Sequence, residues 1–150
     1  MSQYKILISG CGDAGGNVAN VAVADGRGTV VGLADPQPGQ LDRLHALYPD
    51  AVTGSDYAPI LKETRPDVVV VAGPDHLHAD QTVFALTHGC HALVEKPLAT
   101  TVADAQRILD AQEQSKLHVM TDQTMRYMHP WHEMAELARS GGIGDIFFVQ

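Results

Sequence analysis

Four valines in a row, Val68–Val71, constrain the fold of this chain more than any other feature. Successive strand residues point to opposite faces, so an unbroken apolar run suits a strand covered on both sides, as in a parallel sheet layered by helices. The rest of the sequence agrees, because strand-like apolar runs alternate with helical patterns along its length. Strands are predicted at Tyr4–Ser9, Thr29–Ala34, Ala51–Thr53, Asp67–Ala72, His91–Val94 and Leu117–Thr121. A small-residue helix through Val18, Val21 and Ala22 follows the first strand, and Gln40–Tyr48 places Leu41, Leu44 and Leu47 at helical spacing. Further helices are predicted at Asp56–Glu63, at Asp80–His88 with Gly89 as its stop, and from a Thr101 cap along Val102, Ala105, Ile108 and Leu109. Six strands joined by crossover helices match a doubly wound α/β sheet in the order 3-2-1-4-5-6.

The pattern changes after residue 122. Pro130–Arg139 reads as a helix with proline at its start and Gly141-Gly142 at its end, and Asp145–Gln150 reads as a seventh apolar strand. A strand carrying Phe147, Phe148 and Val149 without a partner would be a sticky edge. The expectation is a first domain over residues 1–122. Residues 123–150 would then be a junction helix and the first strand of a second α/β domain, truncated after Gln150.

Gly10-Cys11-Gly12-Asp13-Ala14-Gly15 is a G-x-G-x-x-G loop between the first predicted strand and the first predicted helix, as in a Rossmann dinucleotide-binding fold. Gly10 permits a tight turn, Gly12 lets backbone N–H groups approach a pyrophosphate, and Gly15 lets the helix pack closely on the strand. The helix N-terminus offers free N–H groups and the positive end of its dipole to an anion. Asp13 is expected to point to solvent and leave its N–H for the phosphates. Asp35 lies twenty residues after Gly15, at the end of the second strand, where a carboxylate accepts hydrogen bonds from an adenosine ribose. It would repel a 2′-phosphate, and Pro36-Gln37 supply no cation to offset it, so NAD is favoured over NADP.

Other function classes are disfavoured. Ten basic against eighteen acidic residues give a formal charge of -8, which argues against a nucleic-acid surface. No apolar stretch reaches membrane-span length. Ile8-Ser9-Gly10-Cys11 looks like a lipoprotein cleavage site, but only ten residues precede Cys11, and its first residues are largely polar. Cys11 and Cys90 have no disulfide spacing and fit a reducing cytoplasm. The eight histidines include His129-Pro130-Trp131-His132-Glu133, which lacks zinc-protease order, so no metal site is expected.

At the carboxyl end of the fifth predicted strand stands Glu95-Lys96-Pro97, in the crevice where open α/β sheets bind ligands. Neighbouring strand residues diverge, so Glu95 and Lys96 should not pair, and Pro97 restricts the backbone of Lys96. A lysine fixed beside a nicotinamide could hold a substrate oxygen as hydride leaves or arrives. Together with Gly10–Gly15, Asp35 and Gly73-Pro74-Asp75-His76-Leu77-His78, this segment resembles the Gfo/Idh/MocA dehydrogenases, a family named after glucose–fructose oxidoreductase and inositol dehydrogenase. The resemblance implies that Gly73, Pro74 and His78 sit in the loop after the fourth strand, close to the cofactor. It also implies that Glu95 lines the cofactor side, that Lys96 is catalytic, and that Arg126 lies near the cofactor and the domain junction. Asp75 departs from the common asparagine. Family members continue into a domain that supplies most substrate contacts and often a homo-oligomer interface.

The sequence thus points to an NAD-dependent dehydrogenase acting on a secondary hydroxyl of a sugar, cyclitol or derivative, with this chain as its cofactor-binding part and inactive by itself. A non-catalytic NAD sensor or scaffold is the alternative. An S-adenosylmethionine-dependent methyltransferase ranks last, because it gives Glu95-Lys96-Pro97 no task.

Overall fold

The computed structural model describes residues 3–148. Its strands are β1 (Tyr4–Ser9), β2 (Gly28–Ala34), β3 (Val52–Gly54), β4 (Val68–Val71), β5 (His91–Glu95) and β6 (Val119–Asp122). They form one parallel sheet in the order β3-β2-β1-β4-β5-β6, as expected. The connecting helices are α1 (Asp13–Ala24), α2 (Pro38–His45), α3 (Tyr57–Thr64), α4 (His78–Thr87) and α5 (Val102–Ser115), and α6 (His129–Arg139) follows β6.

Alternation along the strands builds two cores. Ile6, Ile8, Val30, Val70 and Leu33 face Ala19 of α1 and Leu44 of α2. Leu7, Val69, Val71, Ala92 and Val94 face Tyr57, Ile60 and Leu61 of α3 and Ala85 of α4. Val69, Val70 and Val71 are all buried because β4 lies between these two layers. Right-handed crossovers put α1 and α2 on one face, and α3 and α4 on the other. The α1 face is therefore left bare above β5 and β6, where Met120 is exposed.

Several boundaries differ from expectation for local reasons. Pro38 occupies the first turn of α2, where its missing N–H costs nothing, so the helix begins before Gln40. It ends at His45, leaving Leu47 exposed. A 3-10 turn at Asp75–Leu77 runs directly into α4, whose start moves back to His78. Thr101 caps α5 as predicted, accepting from Asp104 N at 3.1 Å. The apolar stripe of α5 is narrower than its sequence suggests. Val102 and Leu109 are exposed, and Ile108, 1% exposed, is its only buried residue. Ile108→Ala should therefore cost about 2–5 kcal/mol and Leu109→Ala under about 0.5 kcal/mol, read as urea midpoints. Equal shifts would refute this docking.

The expected seventh strand does not form over residues 145–148, which have no regular structure, and Val149 and Gln150 lie outside the described residues. A strand needs a hydrogen-bonded neighbour, and none is present there among the described residues. No helix among the described residues is long and apolar enough to cross a membrane.

Candidate cofactor site

Strand order reverses between β1 and β4, and the carboxyl ends of these strands diverge into a crevice. The glycine loop crosses it. Gly10 has φ +96°, and a Cβ there would overlap the backbone carbonyl of Ala72 and lie 2.5 Å from Gly73 N. At Gly15 an added Cβ would run into Gly10 O and lie 2.9 Å from Ile8 Cγ2. These two glycines let the turn, β4 and α1 converge. Gly12 differs, since a Cβ there would meet nothing within 4 Å, and Gly73 across the crevice is equally open.

Two clefts flank the loop. The first, about 600 Å³, is lined by Gly10, Gly12, Asp35, Gln37, Gly73 and Pro74, and also by Tyr57 and Phe84. Asp35 is 8% exposed. Its Oδ2 accepts the Cys11 N–H at 2.7 Å, and its Oδ1 accepts the Gln37 N–H at 2.8 Å. Each carboxylate oxygen keeps a further lone pair for a ligand hydroxyl. The carboxylate thus does structural work that the sequence did not announce. Tyr57 donates to Gln81 O at 3.1 Å, and burial drives its phenol pKa upward. The Cys11 thiol is fully buried and pushed up to about 12, by burial first and the Asp35 carboxylate second, which fits a small packed residue better than a reactive one.

The second cleft, about 810 Å³, runs along α1 over the bare part of the sheet and is lined by Ala14, Asn17, Glu95, Lys96, Asp122 and Tyr127. Lys96 is exposed at the end of β5, and the Lys96-Pro97 peptide is cis. No Glu95–Lys96 ion pair forms among the described residues. The Glu95 carboxylate instead accepts the backbone N–H of Lys96 at 3.1 Å.

Two expected site residues, His78 and Arg126, do not line either cleft. His78 is the first residue of α4 rather than part of a loop, and it is 1% exposed. Its Nδ1 is 2.7 Å from Pro97 O and its Nε2 is 3.1 Å from Gly73 O, so it ties the β4 loop to the Glu95-Lys96-Pro97 segment from behind. Arg126 is exposed and lines neither cleft. A 3-10 turn at Thr124–Arg126 brings residues three apart onto one side, so Thr124 and Tyr127 enter the second cleft and Arg126 does not. The Asp13 side chain is almost wholly exposed, as expected, but Arg43 of α2 stands 3.6 Å away, a cation that local sequence did not reveal. No three His, Cys, Asp or Glu side chains converge as metal ligands among the described residues.

The Gfo/Idh/MocA family, described as "Oxidoreductase family, NAD-binding Rossmann fold", matches residues 4–123. The chain is 28% identical over 145 residues to a 1-carboxy-3-chloro-3,4-dihydroxycyclo hexa-1,5-diene dehydrogenase of Comamonas testosteroni, covering 97% of this chain and 36% of that protein. It is 31% identical over 122 residues to inositol 2-dehydrogenase of Salmonella paratyphi B, covering 80% of this chain and 36% of that protein. In structure it resembles myo-inositol 2-dehydrogenase from Lactobacillus plantarum, with a TM-score of 0.88 at 18% identity over 97% of this chain and 43% of that one. The chain thus spans little more than a third of the length of these two curated relatives.

Proposed function

This chain belongs to the Gfo/Idh/MocA oxidoreductases as their NAD-binding Rossmann fold, and from that premise we propose that one dinucleotide lies across both clefts, with adenosine beside Asp35 and nicotinamide beside Lys96. The observation carrying this reading is the glycine loop itself. One side of it opens at Gly12 onto the cleft of Asp35, and the other opens at Ala14 onto the cleft of Lys96. A diphosphate over the N-terminus of α1 would face the orphan N–H groups of its first turn. Gly12 and Gly73 leave the room it needs. NAD is preferred over NADP, because the 2′-phosphate would meet the Asp35 carboxylate.

When bound, the nicotinamide supplies a hydride acceptor or donor. The chain's own residues bind and orient around it. Asp35 accepts from ribose hydroxyls, and Pro74 bounds the adenosine cleft. Lys96 directs its ammonium at the oxygen of a secondary alcohol and would stabilise negative charge that builds there. The substrate class is a sugar, a cyclitol or a relative of these, in keeping with the names of the two curated dehydrogenases. Two buried, unpaired thiols suit a protein of the reducing cytoplasm, and membership of the family suits a homo-oligomer.

Calorimetric titration with NAD and NADP tests the cofactor reading. Saturable binding with NAD the tighter ligand is expected. Absence of binding to the folded protein, or tighter NADP, would overturn it.

A further inference from the structure

The glycine loop is held from outside by a residue its motif does not contain. Arg43, in the last turn of α2, donates from Nη2 to Cys11 O at 2.9 Å and to Gln40 Oε1 at 3.1 Å. It also lies 3.6 Å from Asp13 Oδ1. The Cys11 carbonyl and the Gly12 N–H belong to one planar trans peptide, so they point in opposite directions. The peptide before it is fixed too, because Asp35 takes the Cys11 N–H. With its carbonyl drawn toward α2, this unit turns the Gly12 N–H the other way. Among the described residues that N–H donates to nothing, and Gly12 lines the first cleft.

We propose that Arg43 is a positioning residue for the dinucleotide diphosphate, acting through the Cys11–Gly12 peptide. The guanidinium fixes the peptide plane and polarises it, which strengthens the N–H that meets the anion. Its pairing with Asp13 adds less, because the Asp13 carboxylate is 97% exposed and surface ion pairs contribute little. Arg43 itself need not touch the ligand. This inference rests on the dinucleotide reading above and deepens it.

Titrations with NAD, ADP and adenosine, on the wild type and on Arg43→Ala, separate the two. NAD and ADP carry the diphosphate and should weaken about tenfold in Arg43→Ala, about 1.4 kcal/mol. Adenosine should stay within about twofold, as expected if the positioned N–H is a diphosphate contact. The Gly12 amide proton of the unligated variant should move upfield in its NMR spectrum. In an Asp13→Asn background the loss on removing Arg43 should persist, since the carbonyl contact is unchanged. The proposal fails if adenosine weakens equally, if NAD binding is unaltered, or if the loss vanishes with Asp13→Asn. Should Arg43→Ala not fold, Arg43→Gln keeps a neutral donor and should weaken NAD by a smaller factor than tenfold while sparing adenosine, and any other pattern overturns the proposal. A wild type that binds none of the three ligands overturns this inference and the dinucleotide reading together. A wild type that binds them, with no effect at Arg43, overturns this inference alone.

Discussion

Asp35→Asn is expected to lower the thermal midpoint by roughly 3–10 °C before any ligand is added, and to bring NAD and NADP affinities toward parity. The reason is that both Asp35 oxygens already accept backbone N–H groups, from Cys11 and Gln37. An amide offers one acceptor where the carboxylate offers two, so a donor would face a donor. Cys11 is fully buried, and an unsatisfied buried N–H costs about 1–3 kcal/mol. Asp35→Ala should destabilise comparably, so any change in cofactor preference must be measured below the transition of each variant. A midpoint equal to wild type would mean that the loop does not depend on this carboxylate.

The second large effect separates the three glycines. Gly10→Ala combines a positive φ, worth about 1–2 kcal/mol, with overlap on the Ala72 carbonyl, worth about 1–3 kcal/mol or more. For Gly15→Ala, alanine's helix propensity returns at most about 1 kcal/mol, while overlap on Gly10 O meets backbone that cannot swing aside. Overlap wins, and both variants should lose several kcal/mol of a total of about 5–15 kcal/mol. Gly12→Ala should melt within about 2 °C of wild type, because its Cβ meets open space, yet bind NAD at least about tenfold more weakly. Circular-dichroism melts paired with calorimetry would show this split. A destabilised Gly12→Ala, or a wild-type-like Gly10→Ala, would contradict the geometry.

The sequence revealed what short-range periodicity encodes. Val68–Val71 announced a strand covered on both faces, and the glycine loop with Asp35 announced the crevice and its acid. What it concealed depends on tertiary reach. Arg43 meets the glycine loop from a helix 32 residues along the chain from Cys11, and nothing local marks it. The resemblance put His78 in a loop, but a 3-10 turn passes unbroken into α4 there, and its two carbonyl partners come from different segments. The strand expected beyond Asp145 had the right composition, but composition supplies no neighbour to pair with.

The unequal contacts of the three glycines also bear on inheritance. Gly10 and Gly15 leave no room for a Cβ, with or without a ligand, whereas a Cβ at Gly12 would meet nothing of the chain itself. A descendant that gave up the dinucleotide would drift first at Gly12 and keep the outer pair. In this scaffold, two thirds of the motif record foldability, and only the middle glycine reports whether the cleft is still in use.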